Sequence, residues 1–125
     1  MPELITAHKV DDTDRGGLMI EALNDKGPGG AENNYFISAP DWVETNGFFQ
    51  SLIFQNGPPA EAGINGLTME ALMAVLIHRL DGFQAGPFAC EENYQARKHL
   101  ALALECLHAR TRERIHRGVE GTLES

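Results

Sequence analysis

GFQAGPFACEENYQARKHLALALECLHARTRERIHRG, residues 82–118, is the stretch on which the fold turns. It reads as the end of one helix, a tight aromatic and glycine-rich corner, and a second, long helix. Leu100, Leu104, Leu107, Thr111 and Ile115 recur at spacings of four, three, four and four, the stripe of a 3.6-residue period. The helix is expected to start near Ala89 or Cys90, with Glu91 and Glu92 at its positive end and Gly118 as its stop. Upstream, Thr68 serves as N-cap with Glu70 in the first turn, and Leu72, Leu76, Leu80 and Phe83 form a second stripe. Met69, Met73, Val75 and Ile77 broaden it, which implies burial on more than one side. Two such helices with a short link make an antiparallel αα-hairpin over residues 67–118.

Working outward, residues 1–66 read as short strands and turns. Leu4–Val10, Leu18–Leu23, Tyr35–Ser38 and Ser51–Gln55 are apolar segments of strand length. Leu18–Leu23 also has a mild helical alternative. Polar Asp11–Gly17 and Asn24–Gly30 separate the first three, and a loop from Ala39 to Gly47 holds Trp42. The dipeptides Asn56-Gly57 and Asn65-Gly66 bracket a return through Ala60–Ile64 and signal hairpins. The expected fold is therefore α+β. N-terminal antiparallel β-hairpins pack on a C-terminal helical hairpin, in a single domain over residues 1–125 with a tail at 119–125. The long helix, of nearly thirty residues, exceeds what one small sheet can cover, so a homo-oligomer is expected.

Charge is unevenly placed. The net charge is -8, yet residues 93–118 hold six basic residues against Glu105 and Glu113. Residues 1–66 hold three basic and ten acidic ones. A concentrated positive patch on an acidic body suits a small anion and not duplex nucleic acid, which rewards broad basic surfaces. No apolar run spans a bilayer and no N-terminal signal sequence is visible. Cys90 and Cys106 both fall on the long helix, roughly 24 Å apart, which is beyond disulfide reach and fits a reducing cytoplasm. Neither sits in a zinc-ligand pattern. Cys90 at a helix N-terminus is either a bystander or a low-pKa thiol.

Arg110, Arg114 and Arg117 fall on one face of the last turns, while Arg112 shares another with His108 and His116. Guanidinium pairs suit phosphate; cations at a helix C-terminus also offset its dipole, and Glu113 offers an internal partner. Phe83 and Phe88 bracket the corner, where a ring can stack on a nucleobase or plug the core; Phe88, after Gly-Pro, reads as the plug. Asn93 could read a base edge or a ribose hydroxyl, or simply face solvent. Signals for catalysis are weak. His8, His78, His99, His108 and His116 show no HExxH or HxH spacing, and GxSxG and GxGxxG are absent. Gly27-Pro28-Gly29-Gly30 lacks the Lys-Ser/Thr ending of a phosphate loop.

Phe54-Gln55-Asn56-Gly57-Pro58, Gly63-Ile64-Asn65-Gly66, Gly82–Cys90, and Thr111 to Thr122 together resemble a group of phage and prophage proteins. This is the first Thoeris anti-defence family, whose C-terminal helical hairpin is shared with a phage anti-CBASS sponge. The resemblance covers about residues 50–122, and residues 1–49 match loosely. It implies a non-enzymatic sponge that binds a cyclic ADP-ribose isomer, glycocyclic ADP-ribose, made by a TIR-domain sensor of the bacterial host. By the resemblance, Phe83 stacks on adenine, Asn93 hydrogen-bonds, and Arg110 and Arg114 hold the phosphates. No cofactor or metal is implied. Family members bind at subunit interfaces, as dimers or as hexamers with extra sites for cyclic oligonucleotides. The bulky Trp42–Phe49 loop departs from a generic member and bears on ligand choice. Two other readings stand beside it: an oligomeric structural or protein-interaction subunit without a small-molecule ligand, and a phosphodiesterase that would consume its ligand.

Overall fold

The computed structural model describes residues 3–10, 17–23, 26–27, 29–39 and 48–118. The chain divides into two compact units, Met1–Gly66 and Leu67–Ser125. The first carries β1 (Glu3–Ile5), β2 (Met19–Ala22), β3 (Asn34–Ala39), β4 (Phe48–Ile53) and the single-turn α1 (Pro59–Ala62). The second carries α2 (Met69–Gln84) and α3 (Glu91–Arg117). The fold is α+β.

The four strands form one antiparallel sheet in the order β1-β2-β3-β4. The register puts Ile5 against Ile20, Ile20 against Ile37, Ala22 against Tyr35 and Tyr35 against Leu52. Directly opposed residues share a face, so these residues and Ala39 line one side, where Ala22 and Ala39 are buried. The other side carries Leu4, Phe36, Phe49 and Ile53, and Phe36 stacks on Phe49 with centroids 5.7 Å apart. Just past β4, Phe54 meets the Tyr35 ring edge-on at 5.8 Å.

Two expectations for this half need correction. The first strand stops at Ile5, because Thr6–Lys9 turns out of the sheet with Lys9 N–H donating to the Thr6 carbonyl at 3.0 Å. The Asn-Gly dipeptides do not close hairpins. Residues 55–66 form a compact loop around α1, held by side-chain amides. Asn56 N–H donates to Asn65 Oδ1 at 2.8 Å, and Asn65 Nδ2 donates back to the Asn56 carbonyl at 2.8 Å. Gln55 Nε2 donates to the Gly63 carbonyl at 2.7 Å, and Gln55 Oε1 accepts from Asn65 N–H at 3.1 Å. Gly66 is required there, since a Cβ would collide with the Phe54 carbonyl. The Trp42 part of the expected loop, residues 40–47, lies outside the described residues, as do Asp11–Gly16, Asn24, Asp25, Pro28 and the tail 119–125.

In the second unit, Thr68 caps α2 by accepting from Ala71 N–H at 3.1 Å. α3 runs for 27 residues, roughly 40 Å of helix. It ends at Gly118 in the left-handed region (φ 77), whose N–H returns to the Arg114 and Ile115 carbonyls. Leu72, Met73, Ile77 and Leu80 from α2 and Leu100, Leu104 and Leu107 from α3 are half-buried along the seam. Arg97 of α3 clamps Asp81 of α2 through Nε at 2.9 Å and a second nitrogen at 3.4 Å. The broad burial expected for α2 is found only in part: Met73 and Ile77 are half-buried, but Val75 is 62% exposed and Met69 56%, and Leu76 of the expected core stripe is exposed too. A two-helix hairpin covers one stripe of each helix and no more. On α3, Ile115 is likewise exposed.

Candidate functional site

The corner between α2 and α3 is braced by its own side chains. Gln84 spans it reciprocally: Oε1 accepts from Cys90 N–H at 3.0 Å and Nε2 donates to the Cys90 carbonyl at 3.1 Å. Cys90 is the N-cap of α3, its Sγ accepting from Asn93 N–H at 3.4 Å. Asn93 Nδ2 donates to the Phe88 carbonyl at 3.3 Å. This fixes the amide of Asn93 beside the aromatic pair, where Phe83 and Phe88 lie 6.4 Å apart at 71°. Phe83 is half-buried and Phe88 is 71% exposed, so Phe88 is not the core plug its Gly-Pro context suggests. The tight Gly86–Ala89 turn, with Ala89 N–H donating to the Gly86 carbonyl at 3.4 Å, carries its ring outward.

Arg79 lies one helical turn before Phe83, with its guanidinium 5.1 Å from the ring centroid, a cation–π geometry. Sequence reasoning omits it. The Arg79–Phe83 spacing of four is visible in the sequence, but nothing there separates Arg79, the one arginine of α2, from the surface arginines of α3.

The arginines at the far end of α3 are not equivalent. Arg112 pairs with Glu105 at 2.7 Å, and Arg117 pairs with Glu113 at 2.6 Å. The hydrogen bond from Arg112 holds the Glu105 carboxyl below its ordinary value. Arg110 is exposed and has no carboxylate partner among the described residues. Arg114, one turn on, is only 6% exposed. The internal-partner reading thus accounts for Arg117, while Arg112 faces a different carboxylate.

Phe83 and Asn93 therefore both lie at the corner, each against Phe88, while Arg110 and Arg114 lie one turn apart near the other end of α3. Seventeen residues separate Asn93 from Arg110, roughly 25 Å of helix. One hairpin does not bring the two pairs together. Along the N-terminal half of α3, Tyr94, Arg97, Lys98, Ala101 and Leu102 line an open depression. No three His, Cys, Asp or Glu residues cluster for a metal among the described residues. Cys90 and Cys106 are exposed and unpaired. No described helix is long and apolar enough to cross a membrane.

Comparison with known proteins follows the same outline. Residues 52–112 match the family model described as "Acb2/Tad1, hairpin domain". That span runs from β4 through the corner to Arg112, so it includes Phe83, Asn93 and Arg110 and stops short of Arg114. Over 109 residues the chain is 39% identical to Thoeris anti-defense 1 of Bacillus phage SBSphiJ7, covering 87% of this chain and 73% of that protein. With that identity over most of both chains, and a helical hairpin of the matching kind, this protein belongs to the Thoeris anti-defence 1 family.

Proposed function

We propose that the protein is an anti-defence sponge. It binds a cyclic ADP-ribose isomer, such as glycocyclic ADP-ribose, made by bacterial TIR-domain immune proteins, and holds it without cleaving it. It acts in the host cytoplasm, and the downstream effector is then never activated. The observation that carries this reading is membership of a family with a relative named for opposing Thoeris defence.

The corner and the arginine end of α3 support it. The ligand is an adenine, two riboses and a pyrophosphate in one ring. Phe83 offers a stacking surface for adenine, and Asn93, oriented by the Phe88 carbonyl, offers an amide to a base edge or ribose hydroxyl. Arg110 and Arg114 offer charge-assisted bonds to the phosphates. Because these groups lie about 25 Å apart on one helix, the site takes its arginines from an antiparallel second copy. Exposed Val75, Tyr94, Leu102 and Ile115 favour such self-association. A dimer is the minimal assembly, and a hexamer with separate sites for cyclic oligonucleotides is compatible with it. Binding and assembly are then coupled by mass action. The reading assigns no catalytic residue, cofactor or metal.

The test is calorimetry with cyclic ADP-ribose isomers and cyclic oligonucleotides, with light scattering of the same samples. Bound ligand is then released by heat and identified by chromatography. Stoichiometric binding by an oligomer and recovery of intact ligand are expected. An oligomer that binds nothing in the panel would leave the structural-subunit reading in its place, and a cleaved ligand would replace the sponge with a hydrolase.

A further inference from the structure

We infer that Arg79 is a further positioning residue of the ligand site, one that sets which face of the Phe83 ring receives the adenine. The inference rests on the sponge reading and adds a residue to it.

Four observations carry it. The Arg79 guanidinium lies over the Phe83 ring, 5.1 Å from its centroid. The two residues are four apart on α2, a spacing that stacks side chains on one helix face. Phe83 stands at the end of α2, at the corner where Phe88 lies edge-on to it at 6.4 Å and Asn93 bonds the Phe88 carbonyl. Lastly, Arg79 has no carboxylate partner among the described residues, whereas Arg97, Arg112 and Arg117 each have one.

A planar guanidinium over one face of a benzene ring does two things. It restricts the ring's rotation, which lowers the ordering cost that a stacking ligand would otherwise bear. It also occupies that face, so a base stacks on the face turned away from Arg79. The resulting order is guanidinium, phenyl ring, adenine. An uncompensated cation at this end adds a second centre of positive potential facing an anionic ligand, beside that of Arg110 and Arg114. Arg79 acts on the base through Phe83 and needs no contact with the ligand.

The experiment is a double-mutant cycle measured by calorimetry with glycocyclic ADP-ribose, using the full chain. The variants are Arg79→Ala, Arg79→Lys, Phe83→Ala and Arg79→Ala/Phe83→Ala, each checked for unchanged circular dichroism. An exposed cation–π contact corresponds to about a two- to fivefold change in affinity, and Arg79→Ala is expected to lose that much. Arg79→Lys is expected to recover part of it, because an ammonium also sits on a ring face. In the Phe83→Ala background, Arg79→Ala is expected to have no further effect, and the adenine hypochromism near 260 nm expected on binding to wild type should be absent. Unchanged affinity in Arg79→Ala, or a loss of equal size with and without Phe83, would overturn the inference while leaving the sponge reading intact. Wild-type protein that binds none of the cyclic ADP-ribose isomers would overturn both.

Discussion

Replacing Asn65 tests the loop that joins the two units. Its side chain accepts from Asn56 N–H and donates to the Asn56 carbonyl, each at 2.8 Å, so Asn65→Ala deletes two well-formed neutral bonds. Such bonds contribute about 0.5–1.5 kcal/mol each, or about 1–3 kcal/mol together. Asn56 and Asn65 are both exposed, so water can replace part of what is lost and the lower end applies. A loss near 1 kcal/mol raises the local opening equilibrium about fivefold. The sharpest assay is amide hydrogen exchange at Asn56, whose N–H is the one left without its acceptor. Exchange there should accelerate about fivefold or more in Asn65→Ala, with a smaller effect on α3. Asn65→Asp separates the two bonds. It keeps an acceptor for Asn56 N–H but sets a carboxylate oxygen against the Asn56 carbonyl. Asn56 should stay protected in Asn65→Asp while the loop as a whole loses stability. Unchanged exchange at Asn56 in Asn65→Ala, or identical behaviour of the two variants, would refute the idea that this amide ladder holds residues 55–66.

Three further outcomes follow from the same geometry. Arg110→Ala and Arg114→Ala should each weaken binding of glycocyclic ADP-ribose about ten- to a hundredfold, the loss of a charge-assisted bond, whereas Arg112→Ala should change little because Glu105 already holds that guanidinium; calorimetry reads this, with melting curves to identify any folding loss at buried Arg114. Thr68→Ala should destabilise α2 by about 1 kcal/mol in urea titration and Thr68→Ser should not, since the cap is the hydroxyl that accepts from Ala71 N–H. The hydrogen bond from Arg97 lowers the Asp81 carboxyl below 3.8, and Arg112 lowers Glu105 below 4.5; both contributions are complete above those unfolded values and vanish as pH falls through the lower folded ones, so Asp81→Asn should flatten the acid limb of a stability–pH profile and leave its neutral region unchanged in slope.

The stripes of Leu72 to Phe83 and of Leu100 to Thr111 place both helices, because side chains three and four apart must meet on one face whatever the surroundings. Their ends were equally legible: Thr68, Glu91 and Gly118 answer to the unsatisfied amides and carbonyls of helix termini, which are local requirements. The α+β division near residue 66 follows from the change of period alone. The Asn-Gly dipeptides misled, because a turn-forming pair does not say whether strands or side-chain amides close the loop, and here Gln55 and Asn65 do so from ten positions apart. Likewise, Val75 and Ile115 look like core by period, but burial needs a covering surface that their own sequence does not contain. The corner and the arginines at α3's end differ in the same way. That Phe83, Phe88 and Asn93 are neighbours was readable from the short link between the helices. That Arg79 caps the Phe83 ring, that Glu105 and Glu113 engage Arg112 and Arg117, and that Arg110 is left open to solvent depended on rotamers chosen in three dimensions. A charged side chain has several partners within reach along a helix, and only the folded packing selects among them.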